Sequence, residues 1–170
     1  MKDYLETVRK EFGRFQALAE KAVAQVSDDA RLHTAPDPES NSVAVILRHV
    51  SGNLASRWSD FLTSDGEKPD RDRDGEFESR RLGRAELLDA WNRGWRTLYG
   101  TLATLTPANL DRTVTIRGEP YTVVQAIERS LGHTAYHVGQ IVFLCKHLAS
   151  DKWQTLSIAR GKSKEFRPQA

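Results

Sequence analysis

The chain has 170 residues, of which 39% are hydrophobic and 28% charged, and its formal net charge is +2. This length and composition predict one domain, 1–170, with a sizeable core. So small a net charge gives no reason to expect a nucleic-acid partner, and no apolar run approaches the roughly 18 residues of a membrane span. The N-terminus is polar and periodic, without a signal peptide, and there is a single cysteine, Cys145. We therefore expect a cytoplasmic protein without internal disulfides or membrane contact.

Four segments carry apolar residues at three- and four-residue spacing, which predicts four amphipathic helices. We place these helices at about 3–27, 42–63, 84–105 and 122–149. Asn41 or Ser42 is the expected N-cap of the second helix, and Pro107 ends the third. Four long amphipathic segments in one domain predict an all-α fold, a four-helix bundle.

The connections between the predicted helices differ in character. The alternating stretch 110–123, with Arg117-Gly118 as a turn, predicts a short hairpin or an extended crossover before the last long helix. Segment 65–81 mixes charges of both signs with turn-forming residues. We interpret it as a solvated or ion-paired connection, with a substrate lid as the alternative. The basic end, about 160–170, is expected to be mobile.

The fourth predicted helix carries the most informative pair of residues, His133 and His137. Residues four apart lie one turn above the other on one helix face, so both imidazoles can offer a nitrogen to one divalent ion. His49 lies at the edge of the second helix's apolar stripe and is the candidate third ligand. Three neutral imidazoles suit zinc or nickel and leave a coordination position open for chemistry.

Polar residues near these histidines are candidates for orienting a ligand ring or a bound water; they are Asn53, Asp60 and Gln140. An isolated pair of histidines at this spacing is more often structural, so a bundle whose histidines only make hydrogen bonds is an open alternative. Cys145 falls in the apolar sector of the same helix, which favours a small buried residue over a nucleophile. No residue is assigned a catalytic role.

Two stretches of the sequence carry a resemblance to a known superfamily. The sequence HTAYHVGQ at 133–140 resembles the HxxxHxGQ signature of the DinB/YfiT-like superfamily, and 43–53 is similar to that superfamily's other histidine helix. Further stretches at 56–69 and 153–158 resemble an uncharacterised bacterial branch. The resemblance implies a four-helix bundle, often a homodimer, with a divalent metal held by the three histidines. Relatives include transferases and isomerases that depend on low-molecular-weight thiols.

Taken together, these features favour a divalent-metal-dependent enzyme, either a hydrolase or a transferase acting on a small-molecule thiol. A groove lined with cationic side chains and fed by segment 65–81 would favour an acidic thiol. The alternative is a dimeric metal-binding or stress-response protein without catalysis. A bundle that binds no metal is the third hypothesis.

Overall fold

Four long helices and one short hairpin make up the computed structural model, which describes residues 2–165. The elements are α1 (Lys2–Ala24), α2 (Val43–Trp58), α3 (Arg84–Thr104), β1 (Thr113–Ile116), β2 (Glu119–Thr122) and α4 (Val123–Ala149). The predicted fold class, an all-α bundle with a small hairpin before the last helix, is confirmed. Within residues 2–165, no helix combines the length and the apolarity needed to cross a membrane.

The helices form a ring in which α4 packs between α1 and α2, and α3 packs mainly against α2. The directions follow from contacts between helix ends. Tyr4, near the start of α1, donates a hydrogen bond to Glu128, near the start of α4, so these two helices run parallel. Trp58, at the end of α2, donates to Ser130 near the start of α4, so α2 runs the opposite way. Thr101, near the end of α3, donates to the Trp58 carbonyl, which makes α2 and α3 parallel.

This topology has a consequence for the chain between α2 and α3. Because α2 and α3 point the same way, residues 59–83 must return along the length of the bundle before α3 can begin. That return takes the charged segment past the middle of α2. A short 3-10 helix, Asp74–Glu76, lies on this path and contacts α2.

The hairpin before α4 is closed by a two-residue turn. Ile116 pairs with Glu119 at the end of the antiparallel ladder. Arg117 and Gly118 both have positive φ, 58° and 76°, a conformation that suits the right-handed twist of paired strands. Of the two predicted alternatives for this stretch, the hairpin is the one that forms.

The core is rich in aromatic side chains. Trp58 is buried, stacks on Phe61 at a centroid distance of 4.9 Å and meets Phe12 edge-on at 5.9 Å. The α2 and α3 helices approach closely at Gly94, where a Cβ would lie 2.8 Å from the carbonyl oxygen of Ser51. A side chain at that position would push the two helices apart.

Two helices end earlier than their apolar spacing predicts. α1 ends at Ala24, not at 27, and α2 ends at Trp58, not at 63. After Trp58 the backbone is extended at Ser59 and has a φ of +46° at Asp60. Phe61 continues the apolar spacing, but it reaches Trp58 from a turn outside the helix. The apolar spacing correctly indicated that Phe61 is buried, but a buried residue need not lie in a helix.

The basic end of the chain is exposed over residues 160–165. The rest of the predicted mobile tail, 166–170, lies outside the described residues.

Candidate metal centre

The three candidate histidines meet between α2 and α4. His49 comes from α2, and His133 and His137 come from successive turns of α4. One ring nitrogen from each lies within 4.8 Å of those of the other two, and the Nε2 atoms of His49 and His133 are 3.1 Å apart. Sequence spacing selected these residues, and the fold brings them into one cluster that could hold a metal ion.

Burial favours the neutral form of His133 and His137. His49 is 4% exposed and His137 is 8% exposed. Burial, with the neighbouring His137 and His49 as further causes, lowers the pKa of His133 to about 3. Burial also lowers the pKa of His137, against a smaller opposing effect of its hydrogen bond with Gln140. Neutral imidazole is the form that ligates metals, so the environment of His133 and His137 favours metal binding over protonation.

Two of the rings are oriented by hydrogen bonds from their other nitrogen. His49 Nδ1 donates to a carboxylate oxygen of Glu76 at 2.9 Å, and His137 Nδ1 donates to the Gln140 side-chain oxygen at 2.8 Å. With the proton held on Nδ1, the Nε2 lone pair of each ring is free to bind. In a metal-free protein, His133 Nε2–H can donate to His49 Nε2. A divalent ion would replace that proton, so this donor set fits a metal.

Glu76 is the site residue that the sequence did not indicate. It belongs to the connection 59–83, which the charge pattern describes as solvated or ion-paired, yet Glu76 is only 9% exposed. Its carboxylate packs against α2 at Gly52, where a Cβ would lie 2.0 Å from Oε1. Gly52, three residues after His49, is the local sign in the sequence that another group approaches α2 closely there.

The Glu76 carboxylate is ionised and held from both sides. Arg71 Nε and Nη2 each donate to one of its oxygens at 2.8 Å. Burial alone would raise the pKa of Glu76, but the hydrogen bonds from His49 and Arg71 outweigh burial and leave that pKa lowered. A charged carboxylate behind His49 makes the ring a more basic ligand.

The other predicted partners of the histidines fall in different places. Gln140 contacts His137, as described above. Asn53 is buried one turn after His49, on the wall of the cavity that adjoins the cluster. Asp60 is not brought to the histidines: it is exposed and lies beyond the end of α2 in the positive-φ turn. Asp60 would share a helix face with His49 only if α2 continued to position 60, and α2 ends at Trp58.

A cavity of about 370 Å³ opens beside His49 and His133. Its walls come from α2, α4, the hairpin and the connection 59–83. Apolar surface is contributed by Trp58, Phe61 and Ile116. Five arginines also line it: Arg57, Arg71, Arg73, Arg117 and Arg129. The cluster therefore borders a space large enough for a small molecule.

Glu67 ties the connection 59–83 to the rest of this cavity. Its carboxylate accepts hydrogen bonds from Arg57 at 2.9 Å, from Arg117 at 2.8 Å and from Arg71 at 3.2 Å. Asp65 accepts hydrogen bonds from the backbone N–H groups of Arg117 and Gly118 at 2.8 Å each. The expected ion pairing of this segment is thus present, and it fastens the segment to the hairpin turn.

Cys145 is fully buried, as the sequence predicts. Burial raises the pKa of its thiol to about 12. The thiol is therefore protonated at neutral pH and is not a nucleophile.

A helical bundle with three convergent histidines, two of them on a cavity wall, defines a candidate metalloprotein. The chain belongs to a family described as a protein of unknown function (DUF1572), whose model matches residues 1–162. A comparison with curated proteins gave no match. The family description does not name the DinB/YfiT-like superfamily, so that relationship is a resemblance carried by the histidine motifs.

Proposed function

We propose that the protein is a divalent-metal-dependent enzyme whose ion is held by His49, His133 and His137. One observation carries the proposal: the three imidazoles converge, His49 and His133 line the adjoining cavity, and His49 and His137 are oriented through Nδ1 by Glu76 and Gln140. Structural zinc sites close all four positions with protein side chains, whereas catalytic sites keep one position open. Three protein ligands beside an open space match the catalytic pattern.

Zinc or nickel suits a set of three neutral imidazoles. Such an ion, when bound, acts as a Lewis acid that lowers the pKa of a ligated water or thiol. The protein's own contribution is to fix the ligands. Glu76 and Gln140 hold the Nδ1 protons of His49 and His137, and Arg71 holds Glu76.

Two reaction classes agree with this site: hydrolysis, and transfer involving a low-molecular-weight thiol. The resemblance to thiol-dependent relatives supports the second class. Cys145, the single cysteine of the chain, is buried with a pKa of about 12. A thiol that takes part in the reaction is therefore supplied by the substrate, and the cavity volume suits a molecule of that size.

The alternative, a dimeric metal-binding protein without catalysis, draws support from the outer face of α4. Tyr136 is 63% exposed and Phe143 is 72% exposed. Gly132 and Gly139 lie on the same helix face, with open space where a side chain would be. Large apolar side chains beside gaps can interlock with a second copy of the same face. Light scattering of the wild type and of Phe143→Ser tests this dimer, which the substitution should dissociate.

The metal content of untagged protein, measured by elemental mass spectrometry, tests the proposal first. We expect near-stoichiometric zinc or nickel in the wild type and loss of the ion in His49→Ala. His147→Ala is the matched control, because His147 is exposed near the end of α4 and should leave the metal in place. Negligible metal in all three proteins, even after incubation with excess ion, would exclude the proposed site.

Activity measurements then distinguish the enzyme proposal from the alternative of a metal-binding protein without catalysis. Metal-loaded and metal-free wild type are compared in hydrolysis and thiol-transfer screens with small-molecule substrates. The enzyme proposal requires an activity that disappears on chelation, returns on reloading and is absent from His49→Ala. A loaded protein without such an activity favours the non-catalytic alternative.

A further inference from the structure

The cavity beside the histidines is strongly unbalanced in charge. Five arginines line it, and no carboxylate is among its lining residues. Glu67 and Glu76, behind this wall, pair with Arg57, Arg71 and Arg117, and the exposed Asp74 lies 3.9 Å from Arg73. Three negative charges therefore face five positive ones, and a site with this excess attracts an anion.

Arg57 is the buried member of this excess of positive charge. Its side chain is 11% exposed, and its Nη2 donates to Glu67 at 2.9 Å. Its Nη1 is buried and has no hydrogen-bond partner among the described residues. A buried guanidinium nitrogen without an acceptor is costly. Nη1 has almost no accessible surface, so an anion in the cavity reaches it through a shift of the Arg57 side chain, after which its fork of N–H donors matches the two oxygens of a carboxylate or phosphate.

Arg129 is the solvent-accessible member of this excess of positive charge. It lies exposed on α4, four residues before His133, and its guanidinium lies over the Tyr121 ring at 5.6 Å. Within residues 2–165 it forms no ion pair with a carboxylate. Its donors are therefore available to a ligand in the cavity.

The two arginines lie on the same side of the histidines. Arg57 follows His49 by eight residues, roughly 12 Å along α2, and Arg129 precedes His133 by four residues, roughly 6 Å along α4. Because α2 and α4 run in opposite directions, both displacements point toward the same end of the cavity. Arg57 and Arg129 therefore lie at one end of the cavity and the histidines at the other, separated by about the length of a small metabolite.

We propose that the cavity takes a small molecule with a carboxylate or phosphate group, which Arg57 and Arg129 bind with support from Arg117. The remainder of that molecule extends toward the histidines. The placement of its reacting end rests on the proposed function, but the anion site itself does not require the metal. A nucleic acid is disfavoured, because the cationic surface is a small cavity and not an extended groove.

Calorimetric titration of the protein with inorganic phosphate, malonate and neutral malonamide tests the proposal. The titrations are done at constant ionic strength, on metal-free protein dialysed free of chelator and on zinc-loaded protein. We expect saturable binding of phosphate or malonate in both forms and no binding of malonamide. Malonate alone identifies a carboxylate site, and phosphate alone identifies a phosphate site.

Substitutions locate the binding. Arg57→Gln and Arg129→Gln should each weaken binding by about tenfold or more, because each removes a charged hydrogen-bond partner. Arg96→Gln, an exposed residue of α3 outside the cavity lining, is the matched control and should bind as wild type. If circular dichroism shows that Arg57→Gln does not fold, the Arg129→Gln variant still decides the test, because Arg129 is exposed.

Two results would overturn the anion site. The first is the absence of saturable binding by either anion, and the second is binding that Arg57→Gln and Arg129→Gln leave unchanged. Anion binding that occurs only in the zinc-loaded protein also counts against it, since the ion would then be the receptor. His49→Ala separates this proposal from the function proposal: it should lose the metal and keep the anion.

Discussion

Gly52→Ala tests whether Glu76 orients the metal cluster. A Cβ at position 52 would lie 2.0 Å from the Glu76 Oε1 atom and 2.8 Å from its Cδ. Contacts below 3.0 Å are not tolerated, so the carboxylate must move by about 1 Å or more. It cannot keep both the 2.9 Å bond from His49 and the paired bonds from Arg71 after such a shift. The fold should survive, because the displaced atoms are at the end of a side chain.

The substitution should change two different quantities, the metal affinity and the stability of the helix. Loss of a hydrogen-bonded partner that orients a metal ligand typically weakens metal binding by about 10–100-fold, or roughly 1.4–2.7 kcal/mol. Replacing glycine by alanine inside a helix stabilises the helix by about 0.5–1 kcal/mol. We therefore expect Gly52→Ala to have near-normal helix content and a metal affinity lower by one to two orders of magnitude.

The assay is zinc competition against a chromophoric chelator, with circular dichroism to follow the fold. Gly100→Ala is the matched control, because it is the same substitution in α3 with no atom within 4 Å of the added Cβ. The nitrogen-bound proton of the His49 ring, followed by NMR, reports the hydrogen bond to Glu76 directly. Wild-type zinc affinity in Gly52→Ala together with an altered His49 proton signal would refute the reasoning.

Three further outcomes are expected. Metal-free protein should lose stability as pH falls from about 6.5 toward 3, because the unfolded chain protonates His133 near its ordinary pKa of 6.5 and the folded chain only near 3. The slope is at most about 1.4 kcal/mol per pH unit for each proton, and a flat urea midpoint across this range would contradict it. Gly94→Ala should destabilise the protein by about 1–3 kcal/mol in urea titrations, since its Cβ meets the Ser51 carbonyl oxygen at 2.8 Å; Gly100→Ala serves again as the control. Zinc at 100 times its Kd should add about 2.7 kcal/mol to the free energy of unfolding, measured by thermal denaturation, and His137→Ala should show no such gain.

Local signals were sufficient to predict the four helices, and for residues 110–123 they left a hairpin and an extended crossover as alternatives. Ser42 accepts the N–H of Val45 as an N-cap, and Thr122 and Gln125 form a reciprocal cap at the start of α4. These interactions depend on residues only three apart, so they can be read from the chain. The pair of histidines on α4 is equally local. The end of α2 was misjudged because Phe61 carries an apolar signal that tertiary packing explains.

The rest of the site depends on contacts between distant parts of the chain. Glu76 and His49 are 27 residues apart, and His49 and His133 are 84 apart. The charges of segment 65–81 did not show which carboxylate would be buried, because that depends on the return path between two parallel helices. The cationic cavity likewise combines arginines from helices, hairpin and connection. From the sequence we could state only that a groove of cationic side chains, fed by segment 65–81, would favour an acidic thiol.

The pairing of α2 with α4 also determines how the cluster can assemble as the chain folds. Two of its imidazoles are one turn apart in a single helix and become correctly spaced as soon as α4 forms. The third arrives only when an 84-residue loop closes, a step whose entropic cost grows slowly with loop length. Under the proposed function, a bound ion joins a locally spaced pair of ligands on α4 to a ligand 84 residues away on α2. Metal binding would therefore stabilise the contact between α2 and α4 itself.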